Sequence, residues 1–303
     1  MLGYVSNQFR KTQKVVMAII CKNENDVIED NIKFHTFMGV KYFVIMDNGS
    51  TDGTREILAE LQTSLDVEIV IFDEPSEKFE KKKWIWRLLK HAQHNMGATH
   101  VIPNDADEFW FSKTQDITDQ ICVDDVNVTV QRANVLLSEE VLKQERYYLD
   151  EPYRVNYPLC YDRKAELGDS NLSMLFANIG PKVFVSPSGL ISLNSGFHRA
   201  KHLLQYKKRL ADDLFVYHYP IRNYAQFFKN VENRAKILKQ YPNASMGDHY
   251  KRWVKHYFEG TLEQEFERML IKEADLSGLL KVSAVVKDEK MLDFFRSHMV
   301  LGK

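Results

Sequence analysis

Three acidic residues stand close together just after a short apolar segment of the chain. The segment THVI (99–102) is followed by Asp105, Asp107 and Glu108. Asp105 and Asp107 are two residues apart, so both side chains would point to one face of an extended chain. Their oxygens could hold a hard divalent cation, Mg²⁺ or Mn²⁺, with water and a phosphate group as the other ligands. A solvated strand-end cluster or a helix cap is the plain alternative, because a D-x-D motif is short.

Two more polar segments follow apolar runs earlier in the chain. VVMAII (15–20) precedes KNEND (22–26), and YFVIM (42–46) precedes DNGSTDG (47–53). These runs, like VEIVIF (67–72), are short and rich in β-branched or aromatic residues, as buried strands are. Helical patterns lie between them, which predicts a parallel sheet with right-handed crossovers. Ligands of such sheets bind beyond the carboxyl ends of the strands, so the three polar segments are expected at one edge.

Both earlier polar segments also have explanations that involve no ligand. The Asn-Gly and Asp-Gly pairs within 47–53 are turn formers. Asn25 and Asp26 could simply cap the helix that follows. Asp47 could equally contact a nucleobase or a ribose, and the residues alone leave these explanations open.

Length, charge and cysteine content set broad limits on the function. The chain has 303 residues, with 41 Lys+Arg and 42 Asp+Glu, so its charges nearly cancel and nucleic acid is not the expected partner. Cys21, Cys122 and Cys160 are odd in number and widely spaced, which suits a reducing compartment. No run of about 18 apolar residues occurs, so we expect a soluble, cytoplasmic protein.

The strict alternation of strands and helices stops after residue 111. Further strands are predicted, some of them antiparallel, at VNVTV (126–130), KVFV (182–185), LISL (190–193) and LFVYHY (214–219). From Asn223 onward the pattern is helical. We therefore predict a sheet-containing domain over 1–221 and a helical region over 222–303 that serves the acceptor side or packing.

The motifs taken in order resemble a known family. CKNENDVIEDNIKFHTFMGVKYFVIMDNGSTDGT (21–54) followed by DADEF (105–109) is similar to the family 2 type glycosyltransferases of the GT-A fold. The similarity is greatest to their bacterial branch with a DxDEF signature, found among surface-polysaccharide enzymes, and it covers roughly residues 14–112. It implies an α/β, GT-A-like (Rossmann-like) fold: a mixed, mainly parallel sheet flanked by helices, with a C-terminal helical extension.

The resemblance also implies an activity and roles for residues. The activity is inverting transfer of a sugar from a nucleotide sugar, often UDP-linked, to a hydroxyl of a glycan or lipid-linked glycan acceptor. Asn23, Glu24 and Asp47 would face the nucleoside. Asp105 and Asp107 would hold Mn²⁺ or Mg²⁺ against the diphosphate.

A general base is needed to remove the proton of the acceptor hydroxyl. LGDSNLSMLFANIGPKVFVSP (167–187) is similar to the family segment built around a Glu-Asp pair, and Asp169 stands where the catalytic Asp would. Gly168 replaces the preceding Glu, and Glu166 is the nearby substitute. Asp169 could instead be a helix N-cap.

A histidine in SGFHRA (195–200) completes the expected site. His198 would contact the metal or a phosphate, with His218 as the second choice. Arg199 and Lys201 could neutralise diphosphate charge. The plain alternatives are a structural histidine and surface cations.

The basic, aromatic segment EKKKWIWRLLK (80–90) has two interpretations. Its position between two predicted strands favours the interpretation that it forms the third crossover helix, with Trp84 and Leu88 packed on the sheet. Lys, Arg and Trp also suit a membrane surface, so a peripheral contact at the inner face of the membrane is the alternative.

Two other functions remain open at this point. A nucleotidyltransferase can use a similar sheet and metal, although it would be expected to carry a glycine-rich, basic phosphate loop where this chain has KNEND. A non-catalytic module that binds nucleotide sugars is the other alternative. The intact pair Asp105 and Asp107 argues against it, and the absence of a Glu at 168 leaves it open.

Overall fold

The first third of the chain alternates strands and helices. The structure is a computed structural model that describes residues 13–75, 80–139, 146–159, 173–204, 208–244 and 247–298. The elements are β1 (Val15–Cys21), α1 (Ile28–Phe37), β2 (Tyr42–Asp47), α2 (Thr54–Ser64), β3 (Glu68–Asp73), α3 (Lys81–His94) and β4 (His100–Asn104). The four predicted strands and the helices between them are confirmed.

Strands dominate the middle of the chain and helices its end. The middle contains β5 (Glu108–Ser112), β6 (Asn127–Asn134), β7 (Tyr153–Val155), β8 (Lys182–Val185), β9 (Leu190–Leu193), β10 (Ala200–His202) and β11 (Lys208–His218). The end contains α4 (Tyr224–Gln240), α5 (Asp248–Glu259), α6 (Leu262–Met269), α7 (Glu273–Lys281), β12 (Val285–Lys287) and α8 (Lys290–His298). Strands β5, β7, β10 and β12 were not predicted.

Eight strands form one sheet in the order β3-β2-β1-β4-β8-β6-β11-β5. The pairings among β3, β2, β1 and β4 are parallel, whereas β8 pairs antiparallel with both β4 and β6. In register, Cys21 pairs with Asp47 and Ile19 pairs with Asn104. The carboxyl ends of β1, β2 and β4 therefore meet at one edge, as predicted. The predicted class, a mixed sheet flanked by helices with a helical C-terminal region, is confirmed.

Helix α3 covers one face of the parallel strands. Its buried side chains recur at helical spacing: Trp84, Ile85, Leu88, Leu89 and Ala92. They pack in one apolar cluster with Val16 and Ala18 of β1 and with Val44 and Met46 of β2. The basic, aromatic segment is thus the third crossover helix.

The chain divides into two compact units. The first unit comprises Met1–Gln131 and Gly180–Val216, and the second comprises Arg132–Ile179 and Tyr217–Lys303. The second unit includes 132–179, which the predicted boundary between 221 and 222 assigns to the first domain. That boundary stays a prediction. No helix within the described residues has both the length and the apolar content needed to span a bilayer.

Aromatic contacts hold the helices of the second unit together. The Phe227 ring of α4 lies 5.1 Å from the Trp253 ring of α5 and 5.8 Å from the Phe266 ring of α6. Arg252 and Glu265 form a buried ion pair between α5 and α6 at 2.7 Å. Helices α4, α5 and α6 thus pack on one another around these side chains.

Candidate functional site

The acidic residues Asp105, Asp107 and Glu108 form a tight turn between two strands, called the acidic turn below. Asn104 ends β4 and Glu108 begins β5, so the chain reverses over 105–107. The amide of Glu108 donates to the carbonyl of Asp105 at 3.1 Å, which closes the turn. The side chain of Asp105 is 25% exposed, whereas that of Glu108 is fully buried. Asp105 and Asp107 therefore lie on a turn rather than on an extended strand.

Helix α1 fixes the backbone of this turn. The side-chain amide of Asn31 donates to the carbonyls of Ala106 and Glu108, both at 2.8 Å. Asn104 donates to Asn31 Oδ1 at 3.2 Å and accepts from the indole N–H of Trp110 at 2.9 Å. These groups are fully buried, so the bonds compete with no water. The turn is therefore preorganised rather than flexible.

His35 extends the same network. The amide of Trp110 donates to His35 Nε2 at 3.0 Å, and His35 Nδ1 lies 2.8 Å from the carbonyl of Asn31. Nε2 as acceptor and Nδ1 as donor identify the neutral tautomer. Burial lowers the pKa of His35 to about 3, against an opposing effect of the Asn31 carbonyl. His35 is therefore a neutral structural residue behind the turn.

Two lysines neutralise Asp105. Lys81 Nζ lies 2.5 Å from Asp105 Oδ1, and Lys182 Nζ lies 2.7 Å from Oδ2. Burial alone would raise the pKa of the Asp105 carboxyl, but the ammonium groups of Lys182 and Lys81 hold it well below its ordinary value. The positive charge facing the acidic cluster thus comes from the protein itself.

Lys182 binds a second carboxylate. Its Nζ lies 2.8 Å from Glu108 Oε2, and both side chains are fully buried. A buried charge persists only when it is paired, and here one cation serves two anions. Lys182, the first residue of β8, therefore contacts both ends of the acidic turn.

The ring of Phe197 lies against both ammonium groups. Lys81 Nζ is 4.6 Å from the ring centroid and Lys182 Nζ is 5.1 Å from it, within the range of cation–π contacts. The amide of Val183 donates to the carbonyl of Phe197 at 3.0 Å, which holds this loop on β8. The SGFHRA segment therefore reaches the acidic turn through Phe197.

His198 is held by its own loop and by a neighbouring carbonyl. Its amide donates to Asn194 Oδ1 at 2.8 Å, and its Nδ1 lies 2.9 Å from the carbonyl of Pro181. Arg199 is exposed, and its amide also donates to Asn194 Oδ1. His218, the second choice, pairs with Asn134 Oδ1 at 2.7 Å within the second unit.

The first two polar segments bind each other. Asp47 Oδ1 accepts from both the amide and the hydroxyl of Ser50, at 3.1 and 2.5 Å. The Ser50 hydroxyl oxygen accepts from the amide of Asn23 at 2.8 Å, and Asn23 Oδ1 accepts from the amide of Thr51 at 2.8 Å. Asn23 adopts a positive φ of 57° to do so. The two loops therefore form one ordered structure around Asp47.

The start of α2 continues this structure. The amide of Glu24 donates to the Thr54 hydroxyl at 2.8 Å. Asp52 Oδ1 accepts from the amide and the hydroxyl of Thr54, at 3.1 and 2.6 Å, and thereby satisfies the first N–H of the helix. Asn25 donates its side-chain amide to the carbonyl of Asp52 at 2.7 Å. The turn interpretation thus holds for residues 47–53, and Asp52 caps α2. The predicted capping of α1 by Asn25 or Asp26 is wrong, because α1 has Val27 as its N-cap and no side-chain cap. A role of these loops toward a nucleoside stays a prediction.

The oxygens of the acidic turn suit a hard divalent cation. Mg²⁺ is commonly held by one or two carboxylates, with waters and substrate phosphates as the other ligands. Within the part of the chain that the structure describes, no three His, Cys, Asp or Glu residues are grouped to hold a metal ion. His198 therefore does not complete a three-residue set with Asp105 and Asp107 in this structure, and the role of the two aspartates as cation ligands stays a prediction.

Two of the expected residues cannot be placed. Asp169 and Glu166, the predicted base and its substitute, lie at 160–172, outside the described residues. Sequence reasoning in turn missed the partners of Asp105. Lys182 offered a signal, since a lysine at the start of an apolar strand needs a buried counter-ion. Lys81 offered none among the three successive lysines of its segment.

No protein-family model matches the chain. No curated protein matches it in sequence. Solved structures that it is similar to include S. aureus TarS 1-349 in complex with UDP-GlcNAc, at 13% identity and a TM-score of 0.43 over 95% of this chain and 77% of that chain.

Two further solved structures are similar at the same level. The mannosyltransferase PcManGT from Pyrobaculum calidifontis, in complex with GDP-Man and Mn²⁺, is 14% identical over 89% of this chain and 79% of its own, with a TM-score of 0.37. Glucosyl-3-phosphoglycerate synthase from Mycobacterium tuberculosis, in complex with Mn²⁺, UDP and glucosyl-3-phosphoglycerate, is 16% identical over 78% and 82%, with a TM-score of 0.38. The function of this chain is therefore inferred from its own residues.

Proposed function

We propose that the chain is a metal-dependent inverting glycosyltransferase. It would move a sugar from a UDP-linked nucleotide sugar to a hydroxyl of a glycan or lipid-linked glycan, in surface-polysaccharide synthesis. The observation that carries the proposal is the meeting of three polar segments at the carboxyl edge of β1, β2 and β4. That edge is where open α/β sheets bind nucleotides.

The acidic turn is the proposed binding site of the donor diphosphate. Asp105 and Asp107 would hold Mn²⁺ or Mg²⁺, which when bound stabilises the departing nucleoside diphosphate. The hydrogen bonds from Asn31 to the backbone of this turn support the assignment, because a preorganised site needs little ordering when its ligand binds. Lys81 and the exposed Arg199 would add positive charge for the phosphates.

The joined loops around Asp47 are the proposed nucleoside site. Asn23, Glu24 and Asp47 belong to one hydrogen-bonded structure, so a nucleoside would meet preformed polar groups. The general base would be Asp169, or Glu166 in its place, removing a proton from the acceptor hydroxyl as that oxygen attacks the anomeric carbon. A cytoplasmic location and a peripheral membrane contact remain parts of the proposal.

The test is turnover of the donor by wild-type protein and by Asp107→Asn. UDP release from UDP-sugars is measured with Mn²⁺, after a thermal-shift screen selects the sugar that stabilises the protein. We expect Asp107→Asn to lose at least 100-fold in rate, roughly the loss seen when one electrostatic contact to the transition state is removed. Its circular dichroism spectrum should be unchanged.

The matched control is Asp66→Asn, an exposed aspartate after α2 that should retain the wild-type rate. Full activity of Asp107→Asn with metal present would contradict the assignment. Stabilisation by a UDP-sugar without any UDP release would indicate a binding module instead.

A further inference from the structure

The two lysines that pair with Asp105 differ in burial and in the number of their ion pairs. Lys182 is fully buried and bound to two carboxylates, at 2.7 and 2.8 Å. The side chain of Lys81 is 19% exposed, and among the described residues its ion pair is with Asp105 alone. Releasing Lys182 would leave its ammonium group buried and without its two carboxylates, whereas the ammonium group of Lys81 can move into water on its four-carbon side chain. Lys81 is therefore the exchangeable partner.

A divalent cation and Lys81 compete for the same oxygen. Ligand oxygens lie about 2.0–2.1 Å from Mg²⁺, and Lys81 Nζ already lies 2.5 Å from Asp105 Oδ1. Lys182 Nζ holds the other oxygen at 2.7 Å. An ammonium and a divalent ion on one carboxylate oxygen repel each other strongly in a half-buried site. Metal binding at Asp105 therefore requires Lys81 to leave Oδ1.

The position of Lys81 gives its ammonium a second use. Lys81 is the first residue of α3, and the first turn contains Lys82 and Lys83 but no acidic residue. A helix N-terminus carries partial positive charge, so cations there are unfavourable unless an anion neutralises them. Glu80, the N-cap of α3, pairs with Lys83 at 3.4 Å. Once Asp105 is taken by a metal ion, a phosphate group bound at the turn is an anion that the freed lysine can contact.

We propose that Lys81 is an exchangeable counter-ion that couples metal binding to binding of the nucleoside diphosphate. It holds Asp105 while the site is empty, moves off when a divalent cation binds, and then contacts the diphosphate. Metal alone must displace the lysine without compensation, whereas metal with diphosphate gives the lysine a new partner. The two ligands therefore strengthen each other's binding, and the coupling is reciprocal. This inference rests on the proposed function, since it takes Asp105 as a metal ligand.

The test is Mn²⁺ affinity with and without UDP, measured from the electron paramagnetic resonance signal of free Mn²⁺. Wild-type protein is compared with Lys81→Met and with Lys82→Met, an exposed lysine in the same helical turn. Without UDP, Lys81→Met should bind Mn²⁺ at least five-fold more tightly than wild type. The factor by which UDP raises Mn²⁺ affinity should be at least five-fold smaller in Lys81→Met, and Lys82→Met should match wild type.

The outcomes separate this inference from the proposed function. Unchanged or weaker Mn²⁺ binding by Lys81→Met overturns the inference. In that case, the assignment of Asp105 as a metal ligand still stands if the single variant Asp105→Asn no longer binds Mn²⁺. Absence of Mn²⁺ binding in every protein, with UDP present, overturns both. Lys81→Gln repeats the measurement with a polar side chain, so a folding defect in Lys81→Met does not prevent a decision.

Discussion

Lys182 is a buried cation whose removal should damage the protein more than the loss of a surface ion pair. It serves Asp105 and Glu108 at once, at 2.7 and 2.8 Å, and no part of its side chain is exposed. Lys182→Met would remove the ammonium group that both carboxylates contact. Breaking one side of a buried ion pair costs about 3–5 kcal/mol. We expect that loss in the free energy of unfolding, measured by urea titration of circular dichroism.

A second substitution distinguishes lost charge pairing from lost packing. Adding Glu108→Gln to Lys182→Met removes the buried negative charge that Lys182 pairs with, so the double variant should regain at least about 1 kcal/mol. Lys201→Met, an exposed lysine on β10, is the control and should unfold as wild type does. A loss below about 1 kcal/mol in Lys182→Met would show that Lys182 does not hold the turn.

Helix α1 holds the acidic turn between β4 and β5 in place through Asn31. Asn31 donates to two carbonyls of the turn at 2.8 Å, and those carbonyls are buried. Each buried polar group left without a partner costs about 1–3 kcal/mol. Asn31→Ala should therefore lower the free energy of unfolding by about 2–4 kcal/mol. It should also speed amide hydrogen exchange in peptides that span 104–112.

Glu29→Ala is the matched control on the same helix. Glu29 is exposed, and its ion pair with Lys33 is a surface i,i+4 contact. Such pairs contribute about 0.3–0.5 kcal/mol. Faster exchange at 104–112 in the control as well would mean that general loosening of α1, and not the Asn31 bonds, governs the turn.

The elements that the sequence predicted are those whose pattern is local. Strands β1 to β4 are apolar runs bounded by polar loops, so their positions and shared edge followed from periodicity and chain order. Strand β5 was missed because Glu108 opens it and extends the acidic cluster. It lies at the sheet edge beside β11, far along the chain.

The site was predictable in part for the same reason. Asp105 and Asp107 stand out because they end a strand, whereas their surroundings depend on contacts across the fold. Lys182 is 77 residues from Asp105, and Phe197 joins them through the loop after β9. No local pattern encodes a pairing over that distance, since only the assembled sheet brings β8 beside β4.

Two buried histidines of the first unit, His35 and His100, contribute to the pH dependence of the stability of the protein. Burial lowers the pKa of His35 to about 3 and also lowers the pKa of His100. Burial thus favours the neutral form of both in the folded state, while an unfolded chain protonates histidine near pH 6.5. Between those values the unfolded state binds more protons, so stability decreases as the pH falls. The contribution is fully present above pH 6.5.

His35→Gln should flatten this acid dependence. From pH 7 to pH 5, His35 alone contributes a stability loss on the order of 2 kcal/mol in wild type, because its folded pKa is about 3. Glutamine can accept the hydrogen bond from the Trp110 amide and does not titrate. We therefore expect the variant to be less stable than wild type at pH 7 but to lose less stability when the pH falls. The measurement is the exchange-derived opening free energy of peptides spanning 28–37 and 100–112 at both pH values. His94→Gln, at an exposed position on α3, should keep the wild-type slope, and an equal slope in His35→Gln would place the acid-sensitive group elsewhere in the molecule.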